Sequence, residues 1–462
     1  MEKPLTAVIL AAGEGKRMHS SLPKVLHRIC GRSLVEWALH ALDGLLQEPP
    51  VVVVGHGAEQ VQEHLGQRAR YALQQQQRGT GHALQCAQEY FSGRQGKLLV
   101  IAGDMPLMEK ETLEQLAGLE CAAALLTAKL PDPAGYGRVV RDAAGKVRAI
   151  VEHRDATEEE RAVNEVNLSA YCFDISALCD CLARLTCDND QGEYYLTDCV
   201  GLLYQNGLTV QTICVPAYEG MGVNDRTQLA DCTRILRRRI NAAHMQNGVT
   251  MIDPEQTYLD ATVKLGQDCI LYPGVVLEGN TLVEEGTILY PGCRLVDTHI
   301  GKRCALKAVN AQDAVVGDGV TIGPFVNLRP GAKLADGCKV GDFVEVKNST
   351  VGKGSKLPHL SYIGDADVGS HVNLGCGTVF VNYDGYRKHR TTVGDNVFIG
   401  CNTSLVAPVT VGDGAYTAAG SVITEDVPEE CLAIARARQV NKLGYVARIQ
   451  ARQRREENKK GD

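Results

Sequence analysis

Aromatic side chains are scarce, 5% of the 462 residues, whereas glycine is abundant at 48. That balance suits a β-rich repeat with many turns better than a core packed from rings. No apolar run is long enough to span a bilayer, which excludes a helical membrane anchor. The opening residues Met1-Glu2-Lys3-Pro4 lead straight into a strand-like run and do not resemble a signal peptide. The net charge of −7 gives no electrostatic reason to expect nucleic acid as a partner. The 17 cysteines are odd in number and scattered, with no CxxC pair. A disulfide framework and a zinc site are therefore not indicated, and reduced thiols in the cytoplasm are expected. What remains is a chain with 44% apolar and 22% charged residues, too long for one ordinary core.

Residues 1–226 alternate strand-like and helix-like segments. Thr6–Leu10, Val51–Val54 and Leu98–Ala102 are short continuous apolar runs, as buried parallel strands tend to be. Ser33 stands where it could cap a helix running to Leu42, with Glu36 three residues on. The pattern predicts an open, doubly wound, Rossmann-like α/β sheet with ligands at the carboxyl ends of its strands. Residues 227–250 read as a linking helix, with Arg237, Arg238 and Arg239 largely solvated.

From residue 251 the period changes. Leu259, Leu265, Leu271, Leu277, Val283, Leu289 and Leu295 recur every six residues. A smaller residue stands two places before each, from Thr257 to Cys293. The register resumes at Val316, Ile322, Leu328, Leu334, Val340 and Val346, slips at Val351 and Val368, and returns at Val393, Ile399, Leu405 and Val411. A strict hexapeptide period means a solenoid of parallel strands, three hexads to a triangular coil. Residues 251–462 are thus predicted to form a β-helix with a C-terminal tail.

The sharpest local motif is Leu10-Ala11-Ala12-Gly13-Glu14-Gly15-Lys16-Arg17-Met18, followed by Leu22-Pro23-Lys24. Its glycines let main-chain N–H groups turn towards phosphate oxygens, and Arg17 and Lys24 add cations. It is neither a Walker A loop, which ends in Gly-Lys-Ser/Thr, nor a dinucleotide fingerprint, which needs a third Gly where Met18 stands. Further segments follow in order: Gln74 with Gly79-Thr80-Gly81-His82-Ala83, Gly103-Asp104-Met105-Pro106, Gly135-Tyr136-Gly137-Arg138, Glu152-His153, Glu165-Val166-Asn167 and Gly222-Val223-Asn224.

Together these segments resemble the uridylyltransferase half of the bifunctional N-acetylglucosamine-1-phosphate uridylyltransferase/glucosamine-1-phosphate acetyltransferases. The resemblance covers essentially the whole chain. It implies that a sugar phosphate attacks the α-phosphorus of UTP and that pyrophosphate leaves, a reaction needing alignment and charge neutralisation more than a covalent nucleophile. Arg17 and Lys24 would stabilise the phosphates, and Leu10, Ala11, Ala12 and Gly13 would lie along the nucleotide. Asp104 and Asn224 would hold Mg²⁺. Gln74, Gly79 and Thr80 would read uracil; Gly137, Glu152 and Asn167 would contact the N-acetyl sugar. Leu168-Ser169 departs from the family's usual Thr-Gly or Ser-Gly pair.

The resemblance also implies a left-handed coil, a homotrimer, and acetyl-CoA and glucosamine-1-phosphate as substrates of the second half. Arg329 and Lys347 would bind the sugar's phosphate; Tyr362, Asn373, Asn382 and Tyr383 would orient the substrates. His359 would take the amine proton. A main-chain N–H near Cys376 could steady the oxyanion. Val381–Arg390 interrupts the repeat and reads as a loop over the site. Arg436 and Lys442 match positions near the coenzyme phosphates, and the basic tail beyond them reads as a solvated helix.

The register adds an inference of its own. Cys376 and Cys401 each stand two residues after an interior position, as Ala419 does, so all three are expected to point outward in one column along the coenzyme's path. The resemblance usually has Ala, Ser and Ala there. The product, UDP-N-acetylglucosamine, would feed peptidoglycan and lipopolysaccharide precursors. Two other readings are a uridylyltransferase with a purely structural β-helix, and a non-enzymatic regulatory subunit. His359 with Arg436 argues against the first, and Lys24 with Asp104 against the second.

Overall fold

The computed structural model describes residues 4–458; residues 1–3 and the last four residues of the tail lie outside that range. Two compact units emerge. One holds the chain up to Gln246 together with Tyr258–Thr262; the other holds Asn247–Thr257 and everything from Val263.

The first unit is built on a sheet whose main path runs Val210–Cys214, Ala123–Lys129, Glu165–Asp174, Lys97–Ala102, Leu5–Ala11, Val51–Val54 and Arg70–Leu73. Its central strands are largely apolar because both faces are covered. In Leu5–Ala11, Val8 points into one core cluster while Ala7, Ile9 and Ala11 point into the other. Val51 to Val54 divide in the same way, and all four are fully buried. The sheet is mixed rather than wholly parallel. Glu165–Asp174 runs antiparallel to both of its neighbours, with a register shift between Asn167 and Tyr171.

Local sequence sets the helix ends. Ser33 Oγ accepts from the Glu36 amide while the Glu36 carboxylate accepts from the Ser33 amide, a capping box that starts the helix Leu34–Ala41. The long helix covers Arg226–Gln246, and Thr250–Met251 is already a strand of the second unit. Of its three consecutive arginines only Arg238 is exposed. Arg239 pairs with Glu109 at 2.9 Å and lies over the Tyr218 ring, and Arg237 lies over Tyr258. The expectation of three largely solvated side chains is corrected: Arg237 and Arg239 lie over aromatic rings of the first unit, which their long stems reach.

In the second unit three parallel sheets of eleven, ten and nine short strands make a left-handed parallel β-helix. The aliphatic member of each hexad fills the interior, as with Leu271, Leu277, Val283, Leu289 and Leu295, all fully buried. Burying each such side chain stabilises the coil by about 2 kcal/mol. The repeat also runs unbroken between Leu295 and Val316. Ile300, Leu306 and Ala311 occupy the interior there, and Leu295 pairs with Ala311, Ile300 with Val316. Several steps are simply one residue short. Beyond the coil, Tyr445–Asn458 is a helix with its described side chains exposed.

Candidate functional site

The carboxyl ends of the central strands of the first unit open into a cavity of about 650 Å³. Leu10, Ala11, Ala12, Gly13, Arg17, Lys24, Gln74, Gly79, Thr80, Asp104, Gly137, Glu152, Asn167 and Asn224 all line it. Segments scattered over more than two hundred residues therefore meet in one place.

At one end Lys24 is held against Asp104, and its Nζ lies 3.1 Å from Asn224 Oδ1. The main chain fixes this trio: Val223 N–H donates to Asp104 O at 2.9 Å, and Asn224 N–H to Gln228 Oε1 at 2.8 Å. Gly15 has φ of 67°, and a β-carbon there would stand 2.7 Å from Lys24 Cβ, so only glycine lets the loop close over the lysine. Arg17 is exposed at the rim. A carboxylate and an amide oxygen thus converge on a point where an ammonium already sits. Oxygens of this kind are what a hard cation takes as ligands.

The far end of the cavity is more enclosed. Asn167 donates from Nδ2 to Tyr171 Oη at 2.6 Å, and its amide donates to Gly137 O at 2.9 Å. A β-carbon on Gly137 would lie 3.0 Å from Ile150 Cγ2 and 3.4 Å from the Glu152 carboxylate, so a larger residue would press on both side chains. Burial pushes the Glu152 carboxyl above its ordinary range, opposed by a hydrogen bond from Thr197 and helped by Asp198, Asp155 and Glu193 nearby. Ser169 keeps a glycine-like backbone, φ 54°, and Leu168 packs where Gly220 has no side chain. The departure from the resembled pattern places a serine in a left-handed, strained conformation.

In the second unit the register brings the expected residues together by rungs. Asp342 pairs with His359 across adjacent coils, and their side chains approach to 3.3 Å. One coil further in the same column stands Cys376, then Cys401, then Ala419, as the neighbouring pairs Lys356–Asn373, Asn373–Phe398 and Phe398–Tyr416 require. Cys376 is half-buried and Cys401 exposed. The interior residues Leu374, Ile399 and Thr417 alternate with this outward column.

Arg329 and Lys347 lie on successive rungs of a second column, the Arg329 amide donating to Val346 O at 2.8 Å. Arg329 contacts Glu345 at 3.0 Å. Lys347 lies 3.7 Å from Asp365, which also accepts from Asn348 and Asn382, each at 2.6 Å. Burial would raise the Asp365 carboxyl, but the hydrogen bonds from Asn348 and Asn382 and the nearby lysines hold it below its ordinary range. Asn382 also approaches Tyr362 Oη at 3.3 Å. Asn373 is half-buried on the same face as His359's column, while Tyr383, Arg436 and Lys442 are exposed.

The interrupting segment is a small hairpin, with Tyr383 bridging Lys388. Its base is tied down by Arg390, which binds Asp367 and the carbonyl oxygens of Asn348 and Ala366. Besides Asp342 at His359, two residues of this unit escape the sequence reading. Lys388 is brought against Lys347, whose contact and charge push its ammonium down. Asp365 is the hub that gathers Lys347, Asn348 and Asn382. The only sequence signal for Lys388 is a cation inside the segment that breaks the repeat; for Asp365 there is none.

Comparison with known proteins agrees with this division. Residues 7–163 match the MobA-like NTP transferase domain, and residues 313–348 and 390–425 match the bacterial transferase hexapeptide, six repeats. A protein named bifunctional protein GlmU from Geobacillus sp. (strain WCH70) is 50% identical over 96% of this chain and 98% of its own length. Its namesake in Clostridium botulinum (strain Langeland / NCTC 10281 / Type F) is 48% identical over 95% and 97%. The Listeria monocytogenes serotype 4b (strain CLIP80459) protein of that name is 47% identical over 96% and 98%. With such identity sustained across both units, this chain belongs to the bifunctional GlmU family.

Proposed function

We propose that residues 251–462 acetylate glucosamine-1-phosphate with acetyl-CoA, and that residues 1–226 then join the N-acetylglucosamine-1-phosphate to UMP from UTP, releasing pyrophosphate. The chain is a bifunctional transferase that makes UDP-N-acetylglucosamine. The observation that carries the assignment of uridylyl transfer is the convergence of Lys24, Asp104 and Asn224 at one end of a cavity whose other end presents Glu152 and Asn167.

In this reading Gln74, Gly79 and Thr80 hold the uracil, and the Ala11–Gly13 turn runs along the phosphates. Arg17 and Lys24 oppose the charge on the leaving pyrophosphate. Asp104 and Asn224 would hold Mg²⁺, which supplies charge neutralisation between phosphate oxygens. Among the described residues no group of three or more His, Cys, Asp and Glu is placed to hold a metal ion, and an ion held by few protein oxygens plus substrate phosphates asks for none. Gly137, Glu152 and Asn167 orient the N-acetyl sugar so that its phosphate lies in line with the α-phosphorus.

In the second unit the paired cations Lys347 and Lys388, with Arg329 one rung away, suit the phosphate of glucosamine-1-phosphate. Tyr362 and Asn373 position the sugar. Asp342 at Nδ1 of His359 leaves Nε2 to accept the amine proton as the nitrogen attacks the thioester carbonyl. Asn382, Tyr383, Cys376, Cys401, Ala419 and Arg436 lie along the coenzyme. The exposure of His359, Tyr383 and Arg436 on a single chain fits a site completed in a homotrimer. A place in the cytoplasm, making precursors for peptidoglycan and lipopolysaccharide, goes with these substrates; no described helix is long and apolar enough to cross a membrane.

The test is to assay both half-reactions on one purified preparation while omitting each substrate in turn. Acetyl transfer should need acetyl-CoA but not UTP, and uridylyl transfer should need UTP but not acetyl-CoA. A preparation that uridylylates but never acetylates would return the β-helix to a purely structural part.

A further inference from the structure

Gln74 is 3% exposed at the cavity wall, and His82 lies half-buried in the helix Thr80–Cys86 beside it. Gln74 Nε2 lies 3.1 Å from Gly79 O and 3.0 Å from His82 Nδ1. A carbonyl oxygen can only accept, so the atom facing Gly79 O is the amide nitrogen. Its second proton then goes to His82 Nδ1, which must offer a lone pair. The ring's own proton sits on Nε2, 3.9 Å from the Cys86 sulfur. Burial pushes the Cys86 thiol up, so it stays protonated and neutral. The ring is further placed by Tyr194, whose ring centroid is 6.4 Å away and whose carbonyl accepts from the Gly81 amide at 2.7 Å.

Both donors of the Gln74 carboxamide are therefore used, and its acceptor oxygen is the atom left for a ligand. We propose that His82 is a specificity-determining positioning residue: acting through Gln74, it makes the base subsite an acceptor and so selects a pyrimidine whose ring N3 carries a proton. The inference rests on the reading that Gln74 faces the base of UTP. Uracil and thymine present N3–H to that oxygen. Cytosine presents a lone pair, and acceptor facing acceptor leaves both unpaired. A carboxamide free to turn over about its last torsion would offer its NH₂ instead and pair with cytosine. With His82 in place the turnover forfeits two hydrogen bonds; without it, only the one to Gly79 O.

The experiment compares kcat/KM for UTP, CTP and dTTP in the full-length chain and in the variants His82→Ala, His82→Asn and Gln74→Ala. In His82→Ala the UTP-over-CTP preference should fall about tenfold while the UTP-over-dTTP preference stays unchanged. His82→Asn, whose Oδ1 can stand where Nδ1 stands, should restore most of the preference. An unchanged UTP-over-CTP ratio in His82→Ala, where Gln74→Ala lowers it, overturns the role of His82. An equal loss for all three nucleotides overturns it too, because that marks general damage. If Gln74→Ala leaves both the ratio and the KM for UTP untouched, the placement of the base itself is wrong. Should the alanine chain not fold, the ring nitrogens of His82 in the unaltered protein decide the matter by nitrogen NMR. The proposal requires protonated Nε2 and bare Nδ1, and the opposite tautomer overturns it.

Discussion

The two units position their chemistry by different rules. In the first, Lys24, Asp104 and Asn224 meet although they stand 80 and 200 residues from one another in the lysine's contacts. Asp104 follows the strand Lys97–Ala102, Lys24 opens a short helical turn and Asn224 stands just before the helix Arg226–Gln246, and the site is a walled cavity. In the second, a functional residue's neighbour is found one coil on, as Asp342 leads to His359. The site is a ladder on an open surface. The first kind of site depends on many long-range packings at once. The second depends on a local register, which turns one residue shorter and the inserted hairpin both leave in step, with Leu295 paired to Ala311 and Asn373 to Phe398.

The comparison breaks most visibly if the trio of the first unit is opened. Lys24→Ala should cut uridylyl transfer by about a thousandfold, because it removes a cation from the charge that develops on the phosphates. Acetyl transfer should be unchanged, and rate assays of both reactions on the one variant check this.

A smaller effect tests the ladder. Cys376 and Cys401 share the column of His359, so acetyl-CoA should slow their alkylation about tenfold or more, leaving the thiols of the first unit unaffected. Peptide mapping after brief labelling reads it, and equal labelling with and without coenzyme would remove the column from the groove.

Glu152 contrasts burial with exposure. Its carboxyl is raised by burial, so the folded state binds its proton more tightly than the unfolded chain does. Its contribution to stability is therefore best in acid and is lost as pH rises through the folded value. Glu152→Gln should raise the unfolding midpoint by a few degrees at pH 7, and the gain should vanish in acid below the ordinary carboxylate range. Affinity for N-acetylglucosamine-1-phosphate should fall in the same variant. Thermal melts at two pH values and a KM measurement settle both.

The smallest effect is at Ser169. Relief of its left-handed backbone is worth about 1–2 kcal/mol, and the flexibility glycine adds to the unfolded chain takes back about 0.5–1. Ser169→Gly should stabilise the first unit by about 0.5 kcal/mol in denaturant melts, with the sugar KM nearly unchanged.

How far each unit could be read from sequence follows from the same contrast. The hexad places side chains by counting, so Cys376, Cys401 and Ala419 could be stacked in advance, with the hairpin of Val381–Arg390 allowed for. Counting stumbled between Leu295 and Val316 because short turns drop a residue while the interior stays filled by Ile300, Leu306 and Ala311. It could not find Asp365 or Lys388, whose partners are set by side-chain reach rather than register. In the first unit the motifs named the cavity's walls but not the antiparallel course of Glu165–Asp174, since a strand buried on both faces looks the same in either direction. Nor did they separate Arg239 from Arg238, whose difference lies in what the helix packs against.

The most direct test of two independent sites on one chain is a paired substitution. Asp104→Ala and His359→Ala are purified as full-length folded proteins, and both half-reactions are measured on each. The account predicts that Asp104→Ala loses uridylyl transfer and keeps acetyl transfer, while His359→Ala keeps uridylyl transfer and loses about a hundredfold or more of acetyl transfer. A folded variant in which either single substitution abolished both activities would contradict it.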